Sequence, residues 1–93
     1  MKVCKDYQST RECFAYIQLA APNVDRMTTE LAFEDLNGGI AIVRSKTKKA
    51  VALEWLIVCQ VEVDLALACF REDDAMGLAA HIQFAQQAFE KAR

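Results

Sequence analysis

Lys48–Arg71 reads KKAVALEWLIVCQVEVDLALACFR, and the period of this stretch decides the fold. Within it, Val61-Glu62-Val63-Asp64-Leu65 alternates apolar and polar residues, the pattern of a half-buried strand. A longer pattern competes. Ala52, Leu56, Cys59, Val63, Ala66 and Phe70 recur in alternating steps of four and three, one unbroken stripe along an α-helix. The helical pattern has more matches over a longer span, and the Ala and Leu content favours it further. Beyond it, Glu72-Asp73-Asp74 offers helix caps. Ala75, Leu78, Ile82, Ala85, Phe89 and Ala92 then form a second stripe of the same spacing, with Glu90, Lys91 and Arg93 on its wet side. Two successive stripes predict an antiparallel helical hairpin, 48–71 against 74–92. Small residues at Ala52, Ala66, Ala75 and Ala85 allow a close approach.

Upstream, Ser9-Thr10-Arg11-Glu12 fits a capping box, with residues 1–8 as a frayed start. Phe14, Ile17 and Ala21 follow at helical spacing until Pro22, which disfavours helix in the residue before it. A second helix is expected from Asn23 or Asp25, burying Val24, Met27, Leu31, Phe33 and Leu36. Asn37-Gly38-Gly39 reads as its stop, since glycine accepts the left-handed conformation of a C-cap. Ile40–Val43 is too short to classify by period. Arg44-Ser45-Lys46-Thr47-Lys48-Lys49 reads as a basic linker or as the opening of the third helix. The expectation is one all-α domain spanning 1–93, a small bundle of three to four helices. The alternative is an α+β chain with a short strand near 40–43.

Composition agrees. Of 93 residues, 54% are apolar and 26% charged, and only three are Gly and one is Pro, which excludes a disordered, collagenous or Pro-rich chain. The net charge of −2 excludes a basic nucleic-acid coat. The start of the chain lacks the apolar core of a secretory signal, and Glu54, Glu62 and Asp64 interrupt its most apolar segment. The expected compartment is therefore the cytoplasm. Cys4, Cys13, Cys59 and Cys69 form no Cys-x-x-Cys pair and read as reduced, buried thiols. Residues 1–49 carry eight basic and six acidic side chains, and residues 50–93 carry three and seven, so the halves attract weakly.

Chemistry is sparse. His81 is the only histidine, and no nucleophile or carboxylate lies near it in sequence. Glu72-Asp73-Asp74 lacks the spacing and glycine of a calcium loop, and no phosphate-binding glycine pattern is present. No enzyme activity, metal, cofactor or small-molecule substrate is indicated. What stands out is a second apolar side on helix 48–71, formed by Val51, Val58, Val61, Leu65 and Ala68. Either the first two helices cover it or it pairs with another chain, a second copy included. Val51, Val58, Val61 and Leu65 are therefore candidate partner-binding residues, with Trp55 either an anchor or part of the core. Arg44, Lys46, Lys48 and Lys49 are candidate anion-binding residues, because lysines opening a helix would sit at its positive dipole end.

These features describe a small cytoplasmic regulator that works by protein–protein binding, alone or as a homodimer. One form would be an antiactivator masking a transcription factor. Leu19-Ala20…Pro22-Asn23-Val24 followed by helix 25–36 also resembles helix-turn-helix spacing, which with the basic run 44–49 implies DNA binding as the alternative. Asp25, Glu30, Glu34 and Asp35 on that helix would repel a phosphate backbone.

Overall fold

The computed structural model describes residues 4–20 and 25–93, and in it every regular element is helical: α1 Tyr7–Ala20, α2 Arg26–Lys46, α3 Ala50–Arg71 and α4 Ala75–Lys91. Pro22 and Val24 lie outside the described residues. α1 starts three residues earlier than the capping box at Ser9 predicts. Asp6 is the residue that caps it: its carboxylate accepts from the Ser9 N–H at 2.8 Å, and the Ser9 hydroxyl accepts from the Asp6 N–H at 3.1 Å. These bonds hold the Asp6 carboxyl below its ordinary range. Residues 1–3 lie outside the described residues, but those from Cys4 onward are not frayed: Cys4 is buried, and Tyr7 stacks on Phe89 with ring centroids 4.7 Å apart.

α2 is capped by Asp25, which accepts from the Thr28 N–H at 3.0 Å. It then runs straight through Asn37-Gly38-Gly39 to Lys46, so the stop expected there and the strand alternative at 40–43 are both overturned. The reason lies across the interface. Gly39 is buried beneath α1, and a methyl group on it would stand 2.5 Å from Cys4 Cβ and would also overlap Thr10 Oγ1. This glycine serves close packing of two helices, not termination. The expected burial of Met27 and Leu31 is corrected too. Both are exposed, whereas Thr29, Ala32, Phe33, Leu36, Gly39 and Ile40 face inward. Burying the larger Phe33 turns Leu31 outward, because two helical residues apart point some 200° away from each other.

α3 and α4 match the expected hairpin to within two residues. Ala52, Leu56, Cys59, Val63 and Ala66 are buried on α3, and Ile82, Ala85, Ala88 and Phe89 on α4. Their turn is tight. The Asp74 N–H donates to the Cys69 carbonyl and the Asp73 N–H to that of Phe70, with Asp73 at φ 60°. This is a Schellman ending built on a non-glycine residue. Asp74 then caps α4 through the Gly77 N–H at 2.9 Å.

The two hairpins, α1–α2 and α3–α4, pack face to face as antiparallel neighbours around a ring. Arg71–Glu30 at 2.9 Å and Arg44–Gln60 at 2.9 Å join α3 to α2. Gln18–Gln86 at 2.6 Å and Arg11–Glu90 at 3.3 Å join α1 to α4. Phe14, Phe33, Leu36, Leu56 and Phe89 fill the centre. Among the described residues, every buried side-chain nitrogen or oxygen has a hydrogen-bond partner.

Candidate interaction surface

α3 is apolar on two sides, and the bundle uses one. The stripe from Ala52 to Ala66 faces the core between α2 and α4. The opposite side carries Val51 (66% exposed), Ile57 (46%), Val58 (44%), Val61 (52%) and Leu65 (43%), ending on exposed Ala68. α2 covers a different flank of α3, at Gln60 and Arg71, and leaves this side open.

Two polar contacts cross from α3 to α4 along the edge of this surface. His81 Nδ1 meets Glu62 Oε2 at 2.6 Å, with both side chains partly buried. Lys91 Nζ lies 4.6 Å from the centre of the Trp55 ring. The hairpin register thus brings to His81 the carboxylate that its sequence neighbourhood lacks. Trp55 is partly buried and packs against the core. Phe84, 54% exposed, sits one turn after His81 and two turns before Lys91 on α4. It therefore flanks the same surface, which extends across both helices. Sequence reasoning missed Phe84 and Ile57. The available signal for Phe84 was an aromatic residue standing off the Ile82/Ala85/Phe89 stripe. The 62–81 pair becomes visible only once the register of the hairpin is known.

The basic run does not form one cluster. Arg44 and Lys46 close α2, where the negative end of the helix dipole favours them, and Arg44 is engaged with Gln60. Only Lys48 and Lys49 precede α3, and Lys49 makes no side-chain cap bond. The idea that Lys46 opens the third helix is thereby corrected, and with it much of the argument for a bound anion.

Helix 25–36, the candidate DNA reader, is the first half of α2. Cys13 Sγ lies 3.5 Å from the Ala32 carbonyl while Thr10 lies over Gly39, so α1 and α2 run side by side in opposite directions. Arg26 is committed elsewhere: its guanidinium donates to the Arg71 carbonyl at 2.5 Å, pairs with Asp73 at 3.3 Å and lies over the Phe70 ring. Its charge is not free for phosphate.

All four cysteines are free thiols, and burial raises the pKa of each, that of Cys59 to about 12. Among the described residues no group of three or more His, Cys, Asp or Glu could hold a metal ion. None of the described helices is long and apolar enough to cross a membrane. A cavity of about 490 Å³ lies between the end of α1 and the start of α4, lined by Ile17, Phe70, Leu78 and Ile82. Comparisons with family models, with curated proteins and with solved structures return no significant match to this chain. The fold defines its class, an all-α four-helix bundle, and among the described residues one side of α3 carries exposed apolar side chains.

Proposed function

We propose that this chain is a small regulatory module that binds another protein through the outer face of the α3–α4 hairpin and acts by occlusion, as an antiactivator does when it covers a transcription factor, rather than by catalysis. One observation carries the reading. Val51, Ile57, Val58, Val61 and Leu65 are exposed along one side of α3 whose opposite side already completes a core, and Phe84 is exposed on neighbouring α4. Scattered exposed hydrophobic residues need no explanation, but a contiguous row on one face marks a contact surface. A partner helix laid along α3 would meet Val51, Val58 and Leu65 at intervals of seven residues, two helical turns, the spacing of helix-in-groove recognition. The compartment that suits such a regulator is the cytoplasm.

The test is Val58→Glu. The side chain is exposed, so the thermal midpoint should move by no more than the equivalent of about 0.5 kcal/mol. Capture of partner protein from extracts of the source cells by the immobilised chain should be lost. An unfolded variant would place Val58 in the core, and undiminished capture would remove this face from the interaction.

A further inference from the structure

The charges around the apolar face say what kind of helix it fits. From Ala50 to Phe70, α3 has three carboxylates, Glu54, Glu62 and Asp64, and no lysine or arginine. Projected down the helix at 100° per residue, Glu54 falls among Val51, Val58 and Val61, and Glu72 continues the same line past Ala68. Asp64 rims one side of the stripe, and Glu62, bonded to His81, rims the other. Glu54, Asp64 and Glu72 are exposed and make no hydrogen bond or ion pair through their side chains among the described residues. Cations stand at both ends of the hairpin: Lys48 and Lys49 before α3 with Lys91 at the close of α4, where Lys91 lies over Trp55, and at the other end Arg71, bonded to Glu30 of α2.

From this geometry we infer that the occupant of the α3–α4 face is a basic amphipathic helix, with an apolar stripe flanked by lysine or arginine. The inference rests on the docking surface proposed above and specifies the chemistry of its partner. The apolar side chains of such a helix cover Val58, Val61, Leu65 and Phe84, while a cation flanking them reaches Asp64 and cations beyond the two ends of the covered stretch reach Glu54 and Glu72. A second copy laid parallel along α3 is a poorer occupant, because it brings two sets of the same carboxylates onto one seam. An antiparallel copy sets Lys48 and Lys49 against Asp64 and Glu72 and is the competing outcome that the oligomeric state tests. Basic amphipathic helices include those that grip nucleic-acid phosphates, so covering one would block that contact, consistent with regulation by occlusion.

Two synthetic eighteen-residue peptides test this. They share one leucine stripe at helical spacing, flanked in one peptide by lysines and in the other by glutamates. Binding to the full chain is followed by fluorescence anisotropy at low and moderate salt, and its oligomeric state by sedimentation over a wide concentration range. The lysine-flanked peptide should bind at least about tenfold more tightly, and raising salt should narrow that gap. Glu54→Lys combined with Glu72→Lys should shrink or reverse the preference, and Val58→Glu should weaken both peptides. Equal affinity for the two peptides overturns the inference. So does a wild-type dimer that Val58→Glu converts to monomer, since the face then belongs to a second copy. If neither peptide binds while capture from extract still depends on Val58, the basic-helix inference falls and the docking surface stands. If capture is also independent of Val58, both fall.

Discussion

Gly38 and Gly39 are adjacent in α2, and alanine at each should move stability in opposite directions. Gly38 is exposed, and a methyl group there meets no atom within 4 Å. Gly38→Ala therefore gains helix propensity and restricts the unfolded chain, a stabilisation of about 0.5–1 kcal/mol. Gly39→Ala gains the same propensity but places a methyl group 2.5 Å from Cys4 Cβ and in overlap with Thr10 Oγ1. Neither neighbour yields easily. Thr10 is fully buried, and its hydroxyl donates to the Asp6 carbonyl at 2.7 Å. Cys4 Cβ is fixed to the backbone and moves only with the whole N-terminal arm. Overpacking of this kind costs about 1–3 kcal/mol, and two rigid contacts place it toward the upper end. The net result is a loss of about 1–2 kcal/mol at Gly39, so the two variants should differ by roughly 2–3 kcal/mol. For a domain of this size each kcal/mol shifts Tm by about 4–8 °C, so circular-dichroism melts should separate them by ten degrees or more. Adding Thr10→Ala to Gly39→Ala should recover part of the loss, a non-additivity expected of groups in contact. Equal upward shifts for both single variants would refute the close approach of α1 and α2 at Gly39, and with it the explanation of why α2 does not stop there.

Three further outcomes follow from the same geometry. Asp73→Gly should stabilise the chain by about 1 kcal/mol in urea titration, because a left-handed residue at φ 60° costs a side chain what it does not cost glycine, and the exposed Arg26 pair it loses is worth less. Glu62→Gln and His81→Ala, combined in a double-mutant cycle, should show a coupling of about 0.5–3 kcal/mol, whereas zero coupling would mean that the 2.6 Å contact is not maintained in solution. Burial raises the Cys59 thiol from 9.0 to about 12, so the fold favours its neutral form. The associated stability is fully present below pH ~9, where the unfolded thiol is still protonated, and is lost as pH rises toward about 12. Chemical denaturation at pH 8 and pH 10 should show that decline. Cys59→Ala should be less stable at pH 8 but lose less on going to pH 10.

The C-terminal half of this fold was legible because α3 and α4 each repeat one pattern long enough to exclude a strand. Ala52 through Ala66 all proved buried on one side. The α1–α2 half was harder for a physical reason. Glycine has two uses in a helix, a left-handed cap and a point of close contact, and only the atoms of Thr10 and Cys4 opposite Gly39 distinguish them. Likewise Leu31 and Phe33 are both apolar but lie on different sides, and the choice between them depends on which fills the central space. The outer valines were readable as a second apolar side. Their lack of cover, and the addition of Phe84 to them, required the packing of the two hairpins.

The composition of that outer side carries its own energetic argument. Val51, Ile57, Val58 and Val61 are β-branched residues at exposed helical positions, where each is less favourable than alanine by roughly 0.4–0.6 kcal/mol. Four of them together cost about 2 kcal/mol, a sizeable part of the 5–15 kcal/mol that holds a domain folded. In the isolated bundle nothing offsets this, because the same side chains remain about half in water. Burial would reverse the balance. Full burial of a Val, Leu or Phe side chain is worth about 1.5–3 kcal/mol, so covering the remaining half of several of them recovers more than their propensity cost. The stiffness of β-branched side chains is then an advantage, since they have little rotamer freedom left to lose on binding. Stability alone would favour alanine or glutamate at these positions. A rigid apolar ridge interrupted by carboxylates is what the proposed basic helix would cover.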